Sequence, residues 1–322
     1  MPPTIARTTA AVFAIATAPA LCAGYPEKPI RILTPFSAGS VTDFLARALA
    51  AKLSEAWGQP VVIDNRTGAG GSIAAEIVAK ATPDGYTLLV GATGPTVVNP
   101  LLVKNLGYDA RRAFTPITLV ATNNLLMTVP PSLPAKSVRE LIALAKDKPG
   151  QLRFGSPGIG SSPHLAGELL NSLAGIDMVH VAYKGSPQYT VDLLAGRIDL
   201  VIAAAGALLP HIKSGRLRLL AVSTAARDPA MPDVPAVNES VPGFEVAGWY
   251  GLLTTAGTPA AVINKLFAEL ARILAAPDVK NLYATAGLEA TVSASPAQFA
   301  AYIASERAKW AQVVKAANIR IE

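Results

Sequence analysis

A short apolar run that breaks into a glycine–serine loop and then into helical spacing leaves a chain few ways to fold. Residues 29–57 read PIRILTPF, SAGSVTD and FLARALAAKLSEAW. Ile30, Ile32 and Leu33, with Arg31 among them and prolines at both ends, suit a buried strand. From Leu45 the spacing turns helical through Leu49, Leu53 and Ala56, and Gly58 stops it. Ser40 is placed as the N-cap and Asp43 at the third helical position, a capping box. Strand, tight loop and helix N-terminus follow in order. That arrangement aims unpaired backbone N–H groups and the positive end of a helix dipole at whatever lies above the loop. Anions bind such places, carboxylates as readily as phosphates.

The same unit returns at Arg153. Residues 152–156 (LRFGS) read as a strand and 157–161 as a Gly/Ser loop. Ser162 is expected as N-cap with Pro163 at the first helical position, and Leu165, Leu169 and Leu173 form the stripe. Two donor-rich loops about 120 positions apart could close on one ligand from two domains. Between and beyond them, strands alternate with helices: Pro60–Ile63, Tyr86–Val90, Met178–Ala182, Ile198–Ala203 and Leu217–Val222 are read as strands. The expected class is α/β, with each domain a mainly parallel sheet flanked by helices and ligand sites beyond the strand C-termini. Residues 114–120 are read as leading towards a crossing, 125–129 as opening the second unit, and 249–253 as the return. Three helices then close the chain.

Composition narrows the class. Apolar residues make up 51% and charged residues 16%, so a large core is expected and disorder is not. The longest clean apolar internal run, residues 200–209, is too short to span a bilayer. At the start, Arg7 precedes an uncharged stretch to Ala23, with small residues around position 24; residues 1–24 are read as a cleaved secretory signal. The single cysteine, Cys22, lies there behind Leu21, which does not fit a lipid-attachment site. Cleavage would leave 27 basic and 22 acidic residues and no disulfide, as suits a periplasm. Lys and Arg do not cluster, so nucleic acid is a poor partner.

Chemistry is hard to find. His164, His180 and His211 lack metal-ligand spacing, and there is no HExxH, GxSxG, P-loop or nucleophilic cysteine. Glycines 155, 158 and 160 fail as a dinucleotide fingerprint because Pro163 stands at the last glycine position. Glycine loops without base, nucleophile or metal describe a binding site, and no cofactor is expected. Asp43 is weighed as a first-turn acid against a ligand contact, His164 as an orienter of its loop, and Ser156, Ser161 and Ser162 as donors or turn formers. Lys184 in YKGSP, Asp199 and Arg66 are each weighed as contacts against surface or capping roles.

Several stretches together resemble the Bug-type solute receptors of tripartite tricarboxylate transporters: YPEKPIRILTPFSAGSVTD, NRTGAGGSIAAEIVAKATPDGYTLL, GSPGIGSSPHLAGELL, YKGSPQYTVDLLAGRIDL, PGFEVAGWYGLL and KWAQVVKAANI. The resemblance runs from Tyr25 to the end. It implies a two-domain clamshell of type II-like periplasmic binding architecture, a carboxylate-bearing organic anion as ligand, and membrane permease subunits as partners. It divides the chain into residues 25–123 plus 247–322 and residues 124–246, and a monomer is expected. It places the ligand at Phe36, Ser37, Ala38, Gly39, Ser40, Thr42 and Asp43, and at Ser156, Gly158, Gly160, Ser161, Ser162 and His164, with Thr93, Lys184 and Asp199 added as candidates. Two departures stand out: Ser40 replaces the family's usual second glycine and Ala182 its usual proline. An α/β enzyme acting on a small carboxylate or phosphate ester, and a receptor retained for signalling, are the alternatives.

Overall fold

The structure, a computed structural model, describes residues 24–316. The expected signal segment, Cys22 included, lies outside the described residues but for Gly24. In chain order the elements are β1 (Ile30–Thr34), α1 (Val41–Trp57), β2 (Val61–Asn65), α2 (Ser72–Ala79), β3 (Thr87–Ala92), α3 (Asn99–Leu102) and β4 (Phe114–Val129). Then come α4 (Val138–Asp147), β5 (Arg153–Ser156), α5 (Ser162–Ala174), β6 (Val179–Ala182), α6 (Ser186–Leu194), β7 (Leu200–Ala204), α7 (Leu209–Lys213) and β8 (Arg218–Val222). The chain closes with β9 (Ala247–Thr255), α8 (Ala260–Ala275), α9 (Pro277–Thr285), β10 (Glu289–Ala290) and α10 (Pro296–Ala316).

The strands run in the order β2-β1-β3-β9-β4-β7-β5-β6, with β8 and β10 also on β4. Two parallel trios, β2-β1-β3 and β7-β5-β6, carry the repeated unit. The strands between them are antiparallel, so the α/β fold joins the two parallel trios in one mixed sheet. Physically, a chain that leaves one lobe and returns to it must run its two crossing strands in opposite directions. Residues 114–124 of β4 pair with β9, and residues 125–129 pair with β7 and β8. The sequence reading split this stretch in two, yet it contains no breaker after Pro116, and pairing holds Asn123 and Asn124 extended against Gly248 and Ala247. A Cβ at Gly248 would lie 2.2 Å from Asn123 Oδ1, so glycine there makes the close pairing possible.

Each trio buries its helices as the periodicity requires. α1 places Leu45, Ala46, Leu49, Ala50 and Leu53 against β1 and β3, and each leucine contributes about 1.5–3 kcal/mol by burial. Ser40 caps it, and Gly58 ends it in the left-handed region at φ 62°. α5 buries Leu165, Leu169 and Leu170 on the other trio. Phe299, Ile303 and Trp310 of α10 join one apolar cluster with Trp249 of β9 and Leu125 and Met127 of β4. The Trp249 and Trp310 indoles both donate to Glu306 Oε2, at 3.1 and 3.2 Å. The helix thus braces the crossing strands on their back face.

Candidate functional site

Because β3 runs with the crossing strand β4 and β7 runs against it, the two parallel trios point their C-terminal ends at each other, and the loops after β1, β3, β5 and β6 meet between the lobes. Four of them begin a helical turn there: Val41 of α1, Ser162 of α5, Ser186 of α6, and a wide π-type turn, Gly94–Val98, leading into α3. The sequence reading foresaw two. Gly94-Pro95 reads as loop, but proline also suits the first turn of a helix. Ser186-Pro187 repeats Ser162-Pro163 at an equivalent helix start, a signal that was available and not used.

These starts border a cavity open to solvent, with about 480 Å³ of atom-free space. Phe36, Val41, Ala92, Pro157, Pro163 and Ala204 give it apolar walls, while Ser40, Thr42, Ser161, Ser162 and Ser186 supply hydroxyls. Tyr189 and Tyr250 complete it. No lining residue carries a charge. Burial pushes both phenols up, so they stay protonated and can donate. In α1 the Asp43 N–H goes to Ser40 Oγ (3.4 Å) and the Phe44 N–H to Ser40 O (2.9 Å). The first N–H groups of the helix, Val41 and Thr42, are left for a ligand. In α5 the cap is Ser161, whose Oγ accepts from His164 N–H at 3.4 Å. Ser162, expected as cap, is therefore the first helical residue, and its hydroxyl meets Thr93 Oγ1 at 3.0 Å across the cleft. A backbone bond, Ser37 N–H to Lys184 O at 3.0 Å, also joins the lobes.

Of the expected residues, Phe36, Ser40, Thr42, Ser161 and Ser162 line this cavity, and Thr93 sits directly behind Ser162. Others are brought close but turned away. Asp43 accepts from Gly39 N–H (2.9 Å), Asn65 Nδ2 (3.0 Å) and Arg47 Nε (2.9 Å), which fixes the loop from inside. Burial alone would raise its carboxyl, but Arg47, Gly39 and Asn65 outweigh this and hold it below the usual range. Ser37, Ala38 and Gly39 form the outer rim of the loop, Ala38 and Gly39 exposed and Gly39 at φ 77°. Ser156 Oγ lies 2.6 Å from His180 Nε2 and ties down the next loop. His164 Nδ1 accepts from Gly160 N–H at 3.1 Å, so its proton is on Nε2. The two rings stand 4.2 Å apart, and burial, with His180 adding to it, pushes His164 down to about 3; burial pushes His180 down to about 4. Both are neutral at pH 7.

Gly158 and Lys184 belong to a second cavity of about 760 Å³ beside the first, with the Gly68–Gly71 turn, Asn99 and Ile159. Asp199 lies elsewhere: its Oδ2 accepts from Arg153 N–H at 2.8 Å and closes the entry of two strands. Arg66 pairs with Asp64 at 2.9 Å on the surface. Among the described residues no cluster of His, Cys, Asp and Glu could hold a metal, and no helix is long and apolar enough to cross a membrane.

Known proteins share this arrangement. A family described as the tripartite tricarboxylate transporter family receptor matches residues 45–319. BugT of Bordetella pertussis is 34% identical over 307 residues, which cover 95% of this chain and 94% of that protein. The solved structure of R. palustris Rpa4515 with adipate is 37% identical, covers 92% of this chain and 99% of that one, and superimposes with a TM-score of 0.88. MatC (Rpa3494) from Rhodopseudomonas palustris with bound malate is 31% identical over 90% of this chain and 100% of that one, with a TM-score of 0.85.

Proposed function

We propose a function from a fixed premise: this chain belongs to the tripartite tricarboxylate transporter family of receptors. As a periplasmic receptor it captures a small organic carboxylate between its lobes and hands it to the membrane permease subunits. The observation that carries this reading is the convergence of helix starts on one uncharged cavity. A carboxylate there loses water and gains N–H groups, hydroxyls and the positive ends of helix dipoles, each equivalent to roughly half a charge. These donors are fixed before the ligand arrives, so little order has to be imposed on binding.

Support for a two-domain division, residues 25–123 plus 247–322 and residues 124–246, comes from the change of partners along β4 after Asn124. Closure would bend the crossings there and just before Ala247. The relatives crystallised with adipate and malate suggest a dicarboxylate. With no imidazole, carboxylate, amine or thiol on the cavity wall to activate its hydroxyls, we assign binding without turnover. Residues 1–24 would direct export and be removed.

A thermal-shift series with malate, adipate, other di- and tricarboxylates, amino acids and neutral sugars tests the reading. A carboxylate at about 100 times its Kd should stabilise the protein by about 2.7 kcal/mol and be recovered unchanged by NMR. Stabilisation by sugars alone, or conversion of the carboxylate, would overturn it.

A further inference from the structure

We infer that Gly70 and Asn99 are positioning residues for capture: the bare backbone of Gly70 and the amide of Asn99 form a tight seam beside the anion cavity that decides whether the lobes can meet. The inference deepens the proposed function and rests on lobe closure, but not on the identity of the ligand. Gly70, in the turn before α2, has φ 59°, and a Cβ there would lie 2.1 Å from the carbonyl oxygen of Ile159 in the other lobe. Gly158 comes back at Gly70, its Cβ position 3.3 Å from the Gly70 Cα. A Cβ on Gly160 would lie 2.0 Å from Asn99 Oδ1. Backbone therefore meets backbone, and the atom facing Gly70 is a carbonyl that cannot rotate aside.

Asn99 holds the first-lobe side of the seam. Its Nδ2 donates to Gly70 O (3.1 Å) and Ser72 Oγ (2.8 Å), while Oδ1, buried against Gly160, has no hydrogen-bond partner among the described residues. An acceptor shut away from water without a donor opposes the contact that buries it. Opening the cleft returns that oxygen to water. The seam thus fits tightly enough to seal the cleft and still biases the empty receptor towards opening, so that closure needs a ligand's contribution. Neither Gly70 nor Asn99 lines the anion cavity.

The test reads lobe contact without any ligand. Thr93→Cys with Ser162→Cys, in a Cys22→Ser background, places two thiols where two hydroxyls stand 3.0 Å apart across the cleft. The rate of disulfide formation under mild oxidant then reports the closed population. Gly70→Ala should slow it by about tenfold. Gly58→Ala is the control: the same left-handed φ of 62° but nothing within 4 Å of the new Cβ, so it should leave the rate unchanged. Asn99→Asp, which turns the donor towards Gly70 and Ser72 into an acceptor, should slow it as well. Equal rates in parent, Gly70→Ala and Asn99→Asp overturn the inference. Should Gly70→Ala not fold, Gly160→Ala decides from the other side of the same seam, since its Cβ would meet Asn99 Oδ1 at 2.0 Å; a parental rate there overturns the seam. Calorimetry with malate and adipate forms a separate arm: a parent that binds neither counts against the proposed ligand class, while the cross-linking result still decides the seam.

Discussion

Behind the loop that enters α1 stands a charge, and behind the loop that enters α5 stands a pair of neutral rings. Asp43 gathers Gly39, Asn65 and Arg47 on one carboxylate, and Asn65 reaches on to Thr34 Oγ1 (2.6 Å) and Phe36 O (3.1 Å). His164 and His180 instead fix their loop through single bonds to Gly160 and Ser156. Both supports present N–H groups to the same cavity. They differ in how they fail. A carboxylate network is strong because its bonds are charge-assisted; the imidazoles hold only while they stay unprotonated. The comparison also explains why neither Asp43 nor His164 faces the cavity: each side chain is consumed in shaping the loop that does.

Steric variants should separate the loops most. Gly160→Val has φ 79° against it and would drive Cβ into Asn99, whereas Gly39→Val, at φ 77°, meets only Pro187 Cγ at 3.3 Å. Calorimetry with the best carboxylate should show a loss of about a hundredfold or more for Gly160→Val and about tenfold for Gly39→Val. The reverse order would mean that the first loop moves least on binding.

Asp43→Ala comes next. It leaves the Gly39 N–H without its acceptor, takes one acceptor from Asn65 and should lower stability by roughly 2–3 kcal/mol, measured by urea denaturation. His180→Asn, which can still bond Ser156, should cost less than half of that.

Acid should then act on one loop before the other. The folded pKa values of His164 and His180 are depressed, so their contribution is full above the unfolded value of about 6.5 and is lost as pH falls towards about 4 and about 3. From pH 7 to pH 5 each ring costs about 2 kcal/mol. Glu168 opposes them: burial, with Asp177 adding, raises it to about 7, so its protonation returns about 2 kcal/mol over the same span. A net loss of about 2 kcal/mol should appear in thermal midpoints. Glu168→Gln should steepen it and His180→Asn flatten it. Asp43, depressed, keeps its share until pH falls below the ordinary carboxylate range. A parental profile flat from pH 7 to pH 5 would refute the difference between the loops.

Hydroxyls facing the cavity should matter less. Ser162→Ala removes one donor and its bond to Thr93 and should weaken capture by about 1 kcal/mol, roughly fivefold.

How far the sequence could be read follows from where each cause lies along the chain. The α1 cap was legible because Ser40 stands three residues before Asp43, although the carboxylate accepts from Gly39 N–H and does not close the expected box on Ser40, and the helices were legible because Leu45, Leu49 and Leu53 repeat with the helical period. The cap of α5 was misplaced by one, since Ser161-Ser162-Pro163 allows proline at either of the first two helical positions. Asp43's true partners were not legible: Asn65 arrives from another strand 22 residues on. Tyr250 reaches the cavity from β9, more than 200 residues beyond Phe36, and no local pattern marks that approach. The continuity of β4 likewise depends on partners far along the chain.

The smallest expected effects test the shared premise of both loops, that dipoles and hydroxyls hold the anion and side-chain cations do not. Lys184, on the wall of the second cavity, and Arg66, just before the Gly68–Gly71 turn, are the cations to test. Lys184 is exposed and joins the lobes only through its backbone oxygen, which any residue keeps. Arg66 is half-exposed and already paired with Asp64, a contact worth at most about 1 kcal/mol at a surface. Lys184→Ala and Arg66→Ala should therefore each change carboxylate affinity by less than about threefold, with a weak dependence on salt. Titrations at low and at physiological ionic strength separate the cases. A tenfold loss for Lys184→Ala that vanishes at high salt would show that a lysine enters the cleft and neutralises the ligand. The difference between the two loops would then be secondary to a charge that neither of them supplies.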